Sequence, residues 1–126
     1  MSETRNATCH CGAVELQIKF DNGIENIRRC DCSLCSRKGY VMASVPVENL
    51  SVSKGREYLS LYQWGTNVAE HYFCKTCGIY THHKRRSNPK EYGINIACLD
   101  GVHPLEYKNV PVGNGGLNDA LPPLEN

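Results

Sequence analysis

The chain has 126 residues, and its 14 Lys+Arg against 13 Asp+Glu leave a formal charge of +1. That balance excludes a surface built as a phosphate magnet, so no nucleic-acid partner is expected. No apolar run approaches the roughly 20 residues that span a bilayer, and Met1 to Thr8 lacks an apolar signal-peptide core; the sequence therefore predicts no membrane partner and a cytosolic (cytoplasmic) setting.

In chain order, the first clear element is Ala13 to Phe20, where apolar and polar residues alternate as in a strand with one wet face. Asp21-Asn22-Gly23 turns it. Further strands are predicted at Ile27–Cys30, Tyr40–Val45, Leu50–Ser53, Tyr58–Trp64, Glu70–Phe73, Ile79–His82 and Tyr92–Cys98. Lys54-Gly55-Arg56 reads as a hairpin turn, and Ser33 to Lys38 has room for one or two helical turns. From Asn109 the chain is rich in Gly, Pro and Asn, so 109–126 is predicted as an irregular tail on a single mainly β domain spanning 1–126.

Seven of the eight cysteines fall into three tight groups: Cys9-His10-Cys11-Gly12, Cys30-Asp31-Cys32-Ser33-Leu34-Cys35 and Cys74-Lys75-Thr76-Cys77-Gly78. Thiols stay reduced in a cytosol, and partners one or two residues apart suit a metal better than disulfides. Two cysteine pairs close a tetrahedral zinc, whereas the triplet supplies three ligands and keeps one position open, as catalytic zinc sites do. A structural zinc contributes on the order of 10–16 kcal/mol in peptides, as much as the roughly 5–15 kcal/mol that holds a whole domain. Seven thiolates with two Zn²⁺ add −3 to the formal +1, making the loaded chain mildly acidic at −2.

The glycines after two of the groups, Gly12 and Gly78, fit knuckles in which backbone curls under the cation with positive φ. Spacing permits two pairings. Cys9 and Cys11 could share a metal with part of the triplet, leaving Cys74 and Cys77 to recruit Cys98 or a histidine. The preferred arrangement joins Cys9/Cys11 to Cys74/Cys77, because it accounts for all seven clustered cysteines. The triplet then reads either as a second closed site, completed by Cys98 or one of His71, His82, His83 and His103, or as an open site that presents a thiolate to a strong electrophile.

The order Cys-x-Cys-Gly, Cys-x-Cys-Ser-x-Cys-x-Arg-x-Gly, Phe-Cys-x-x-Cys-Gly and Leu-Asp-Gly, carried here by Cys9 to Gly12, Cys30 to Gly39, Phe73 to Gly78 and Leu99 to Gly101, resembles the glutathione-dependent formaldehyde-activating enzyme family. The resemblance runs from about Ala7 to Pro104. It implies zinc-stapled coiled β-sheets, a fold shared with a Rab-binding nucleotide-exchange chaperone. It also implies a structural zinc on Cys9, Cys11, Cys74 and Cys77 and a substrate-proximal zinc on Cys30, Cys32 and Cys35, the catalytic cluster. The implied activity is that of a carbon–sulfur lyase, S-(hydroxymethyl)glutathione synthase-like, with glutathione or a similar thiol and formaldehyde or another small aldehyde as partners. A non-catalytic zinc module, like the centromere-associated relatives, and a glutathione-adduct carrier are the alternatives. No family role carries over to Cys98.

Glutathione has two carboxylates, and Arg29, Arg37 and Lys38 beside the triplet are the candidate contacts for them, with Arg28 and Arg29 facing opposite ways on a strand. The run His82-His83-Lys84-Arg85-Arg86 reads as an exposed basic loop. Trp64 and the tyrosines read as packing residues, Cys98 as a small buried one, Asp100 as a turn residue and Asp31 as solvent-facing.

Overall fold

The computed structural model describes residues 2–30 and 32–113, and the chain is mainly β. Strands β1 (Glu3–Thr8), β2 (Glu15–Phe20) and β5 (Leu50–Lys54) form an antiparallel sheet in the order β1-β2-β5. Strands β4 (Met42–Pro46), β6 (Leu59–Tyr62), β7 (Glu70–Cys74), β8 (Tyr80–Lys84) and β9 (Glu91–Asn95) form a larger sheet in the order β4-β9-β8-β7-β6. Two short strands, β3 (Arg29–Cys30) and β10 (Val112–Gly113), pair in parallel beside the helix α1 (Ser33–Lys38), the one α-helix among the described residues.

The core lies between the two sheets. Alternation along β2 sends Leu16, Ile18 and Phe20 inward, where they meet Ala43 and Val45 of β4 and Ile94 of β9. Each of these side chains is nearly or completely buried, and each large one contributes about 1.5–3 kcal/mol by leaving water. The opposite face of the larger sheet is buried too. The registers His71↔His83, His83↔Gly93 and Ser44↔Gly93 lay these four residues in one row across β7, β8, β9 and β4. That row forms the floor beneath α1.

A bulge sets which side chains share this floor. Phe73 pairs with Tyr80 but Tyr72 pairs with His82, so Thr81 is an extra residue in β8. Tyr80 and His83, three apart, consequently face the same side, with ring centroids 6.2 Å apart. Strict alternation would have separated them.

Three expectations change. The basic run is no loop: His82 and His83 lie within β8 and are buried, Lys84 pairs with Glu70, and Arg85 pairs with Glu91. The turn at Gly55 does not close a hairpin, since β5 and β6 belong to different sheets. The predicted tail begins with order, because Arg29 N donates to Pro111 O at 2.8 Å and β10 aligns on β3. Residues 114–126 and Asp31 lie outside the described residues. Among the described residues no helix is long and apolar enough to cross a membrane.

Candidate metal centres and cavity

Cys9 and Cys11 follow β1, while Cys74 ends β7 and Cys77 follows it, and the four sulfurs converge within 4.8 Å of one another. The Cys9–Cys11 and Cys11–Cys74 sulfurs are both 3.7 Å apart. Ligands about 2.3 Å from a tetrahedral zinc stand about 3.8 Å from each other, so the donor set fits the ion in number, chemistry and spacing. Gly12 and Gly78 take φ of 81° and 79°, and their amides return to Cys9 O and Cys74 O, as the knuckle reading expects. Cys74 is fully buried inside the main core. A cation here would pin the small sheet to the large one.

Cys30 ends β3, Cys32 caps α1 and Cys35 lies in its first turn. Their sulfurs also lie within 4.8 Å of one another, and no other His, Cys, Asp or Glu among the described residues joins them. The helix is short, and its cap is the thiol itself: Cys35 N donates to Cys32 Sγ at 3.3 Å. Hydrogen bonds from the Cys30 and Cys35 thiols press the Cys32 pKa down to about 2, while those of Cys35 with Cys30 and Cys32 push Cys35 up. Three convergent soft donors fit zinc with a fourth position left over. Cys98 belongs to neither group; it is buried, lies 3.5 Å from Tyr80 O, and burial pushes its pKa up to about 12.

The triplet opens on a cavity of about 270 Å³. Met42, Trp64 and Ala69 make its apolar wall, His71 and His83 its floor, and Arg28, Arg85 and Arg86 its cationic rim. Arg28 is held by Ser44 Oγ at 2.5 Å and Asn26 O at 3.1 Å, and Arg85 by Glu91. Burial, then the neighbouring Arg85, lowers the Arg28 pKa from its usual range.

The sequence model of the glutathione-dependent formaldehyde-activating enzyme family matches residues 4–110. The chain belongs to that family. A crystal structure of a Rhodobacter sphaeroides protein is similar over 86% of this chain and 99% of that one, with 54% identity and a TM-score of 0.83.

In this formaldehyde-activating family member, Arg28 alone of the four cations nearest the triplet in sequence lines the cavity. Arg29 reaches Gly39 O at 2.8 Å and Arg37 reaches Ser33 O at 2.6 Å, each closing its own loop or helix. Lys38 turns from α1 onto the floor, 3.0 Å from His71 Nδ1 and 3.3 Å from the Tyr80 ring centroid. Among the described residues the lining cations are instead Arg28, Arg85 and Arg86. Arg28 was legible through the strand alternation that sets it opposite Arg29. Arg85 and Arg86 were hidden inside what read as a loop. Trp64, expected as packing, faces the cavity half-buried.

The floor is locked. His71 and His83 stack at 5.3 Å with 15° between their planes. Tyr80 hydroxyl lies 2.9 Å from His71 Nδ1, and Tyr40 hydroxyl lies 2.8 Å from His83 Nδ1. Burial, then the Lys38 charge, lowers His71 to about 4; burial first and His71 next hold His83 well below its ordinary value. Both imidazoles are neutral at pH 7.

Proposed function

We propose that this protein condenses glutathione, or a similar anionic thiol, with formaldehyde or another small aldehyde, as a zinc-dependent carbon–sulfur lyase. The observation that carries this reading is the placement of Cys30, Cys32 and Cys35 in the lining of a cavity that has an apolar wall and three arginines. Cys9, Cys11, Cys74 and Cys77 would hold a structural zinc, and the triplet a second. Zinc bound by three thiolates lowers the pKa of a thiol beside it and keeps that thiol in its nucleophilic form.

The protein's own side chains supply the rest. Arg28, Arg85 and Arg86 attract the carboxylates of the thiol, and charge-assisted pairs of this kind are the strong ones. Met42, Trp64 and Ala69 exclude water, which strengthens those contacts and protects an aldehyde from hydration. Holding thiol and aldehyde together converts an encounter between two solutes into a step within one complex. The absence of a fourth cysteine, histidine or carboxylate from the triplet, among the described residues, favours an open site over a closed structural one.

The test compares zinc-loaded wild type with Cys32→Ser. Serine can still cap α1, so the fold should survive while the acceleration of thiohemiacetal formation disappears. Equal rates for the two proteins would end the proposal.

A further inference from the structure

The floor histidines are not metal-site residues, and nothing in the scheme above uses them. His71 has its Nδ1 between two groups, Lys38 Nζ at 3.0 Å and Tyr80 hydroxyl at 2.9 Å. In its charged form Lys38 has three donors and no acceptor, so the ring nitrogen facing it then accepts. Burial lowers the Lys38 pKa to about 7, while the sulfurs of the triplet pull it back up and the π-face of Tyr80, 3.3 Å from Nζ, favours its charged form. A neutral imidazole that accepts at Nδ1 carries its proton on Nε2. The ring is part of the cavity wall, and with Nδ1 engaged on the protein side, Nε2–H is the group left for a molecule in the cavity. Stacking on His83, itself fixed by Tyr40, prevents the ring from turning away.

We propose that His71 is a catalytic residue, a neutral imidazole locked as the Nε2–H tautomer that donates a hydrogen bond to the aldehyde oxygen while a thiol sulfur attacks the carbonyl carbon. This role rests on the condensation proposed above. In that step a sulfur lone pair forms the S–C bond and the carbonyl π pair moves onto oxygen. The thiol proton is released to water, and water returns one proton to the oxygen, leaving a hydroxyl. His71 keeps its own proton throughout. A preorganised donor aimed at developing negative charge is the means by which acyl-transfer enzymes stabilise an oxyanion. Lys38 in its charged form serves the same end, because it adds to burial in keeping His71 neutral and selects one tautomer.

The experiment combines kinetics with ¹⁵N NMR of the zinc-loaded protein labelled in its histidines. We expect the His71 resonances to report an unprotonated Nδ1 and a protonated Nε2, and Lys38→Met to give a mixture of tautomers. His71→Phe, which keeps a stacked ring without a donor, should lower kcat by about 100-fold and leave KM for the thiol in place. His71→Gln, whose amide N–H reaches the Nε2 position, should recover part of that loss. An Nδ1–H tautomer in wild type, or a His71→Phe enzyme as fast as wild type, overturns the role of His71 alone. Wild type that fails to accelerate the reaction overturns the condensation, and the role of His71 with it. If His71→Phe does not fold, the tautomer and the kcat of Lys38→Met decide the matter, and an unchanged kcat with an unchanged tautomer counts against the proposal.

Discussion

The imidazole of His83 lies directly over Gly93, its register partner on β9, so that a Cβ on residue 93 would stand 2.3 Å from Cε1 and 2.9 Å from Nδ1. The floor of the cavity is therefore a ring seated where its neighbour has no side chain. Gly93→Ala must displace the ring, breaking its bond to Tyr40 and its stack on His71. Overpacking of this kind costs about 1–3 kcal/mol. Urea denaturation should show that loss, and a double variant with His83→Ala should show the two changes to be non-additive. Simple additivity would mean that the ring does not occupy this position.

The two cysteine clusters should respond differently to loss of a ligand. Cys74 is fully buried in the main core, whereas Cys30 and Cys32 are half-buried and line the cavity. Cys74→Ser should lose one zinc and unfold, since a contribution on the order of 10 kcal/mol matches the whole stability of a domain. Cys30→Ser should lose the other zinc and keep its circular dichroism spectrum. Chelators should strip the two sites in the same order of consequence, with loss of activity preceding loss of fold. Unfolding of both variants alike would contradict the division of labour.

Arg28 and Arg86 should act on binding. Replacing either with Met removes a charge-assisted contact of about 1.5–3 kcal/mol, so KM for glutathione should rise about 10- to 100-fold with kcat held. Arg29→Met and Arg37→Met, whose guanidinium groups close local backbone contacts, should leave KM alone. The reverse ranking would move the carboxylate contacts back to the residues beside the triplet.

His82 should make stability fall with acid. It is stacked on Tyr72 at 4.8 Å on the core face, and burial, then the charge of Arg56, lowers its pKa from 6.5 to about 4. The folded state then refuses a proton that the unfolded state accepts between those values. Stability is therefore full above pH 6.5 and declines as pH falls toward 4, by on the order of 3 kcal/mol from this residue. The advantage of wild type over His82→Phe in urea should shrink between pH 7.5 and pH 5. A constant gap would show that His82 titrates freely in the folded protein.

The cysteine groups were legible because metal spacing is a local property, and β2 because one of its faces is wet. Strand β1 was missed: Glu3-Thr4-Arg5-Asn6-Ala7-Thr8 is polar, and Ala7 is its only buried residue, so its pairing with β2 rather than its own pattern makes it a strand. His82 and His83 were misjudged for a related reason. Charged neighbours made the run look solvated, but Glu70 and Glu91 on the adjacent strands neutralise Lys84 and Arg85, and that pairing is set by register. The cavity rim needed the same long-range information, since Arg28, Trp64 and Arg86 come from three distant segments. The bulge at Thr81 has no local mark in the sequence at all.

The account depends most on three sulfurs holding a cation with room for one more. The spectrum of the cobalt-substituted protein counts the sulfurs at each ion, and it can be recorded with and without glutathione. We expect one four-sulfur site that ignores glutathione and one three-sulfur site on Cys30, Cys32 and Cys35 that gains a fourth sulfur when glutathione is added. Two four-sulfur sites in the protein alone, or a triplet spectrum that glutathione leaves unchanged, would contradict it.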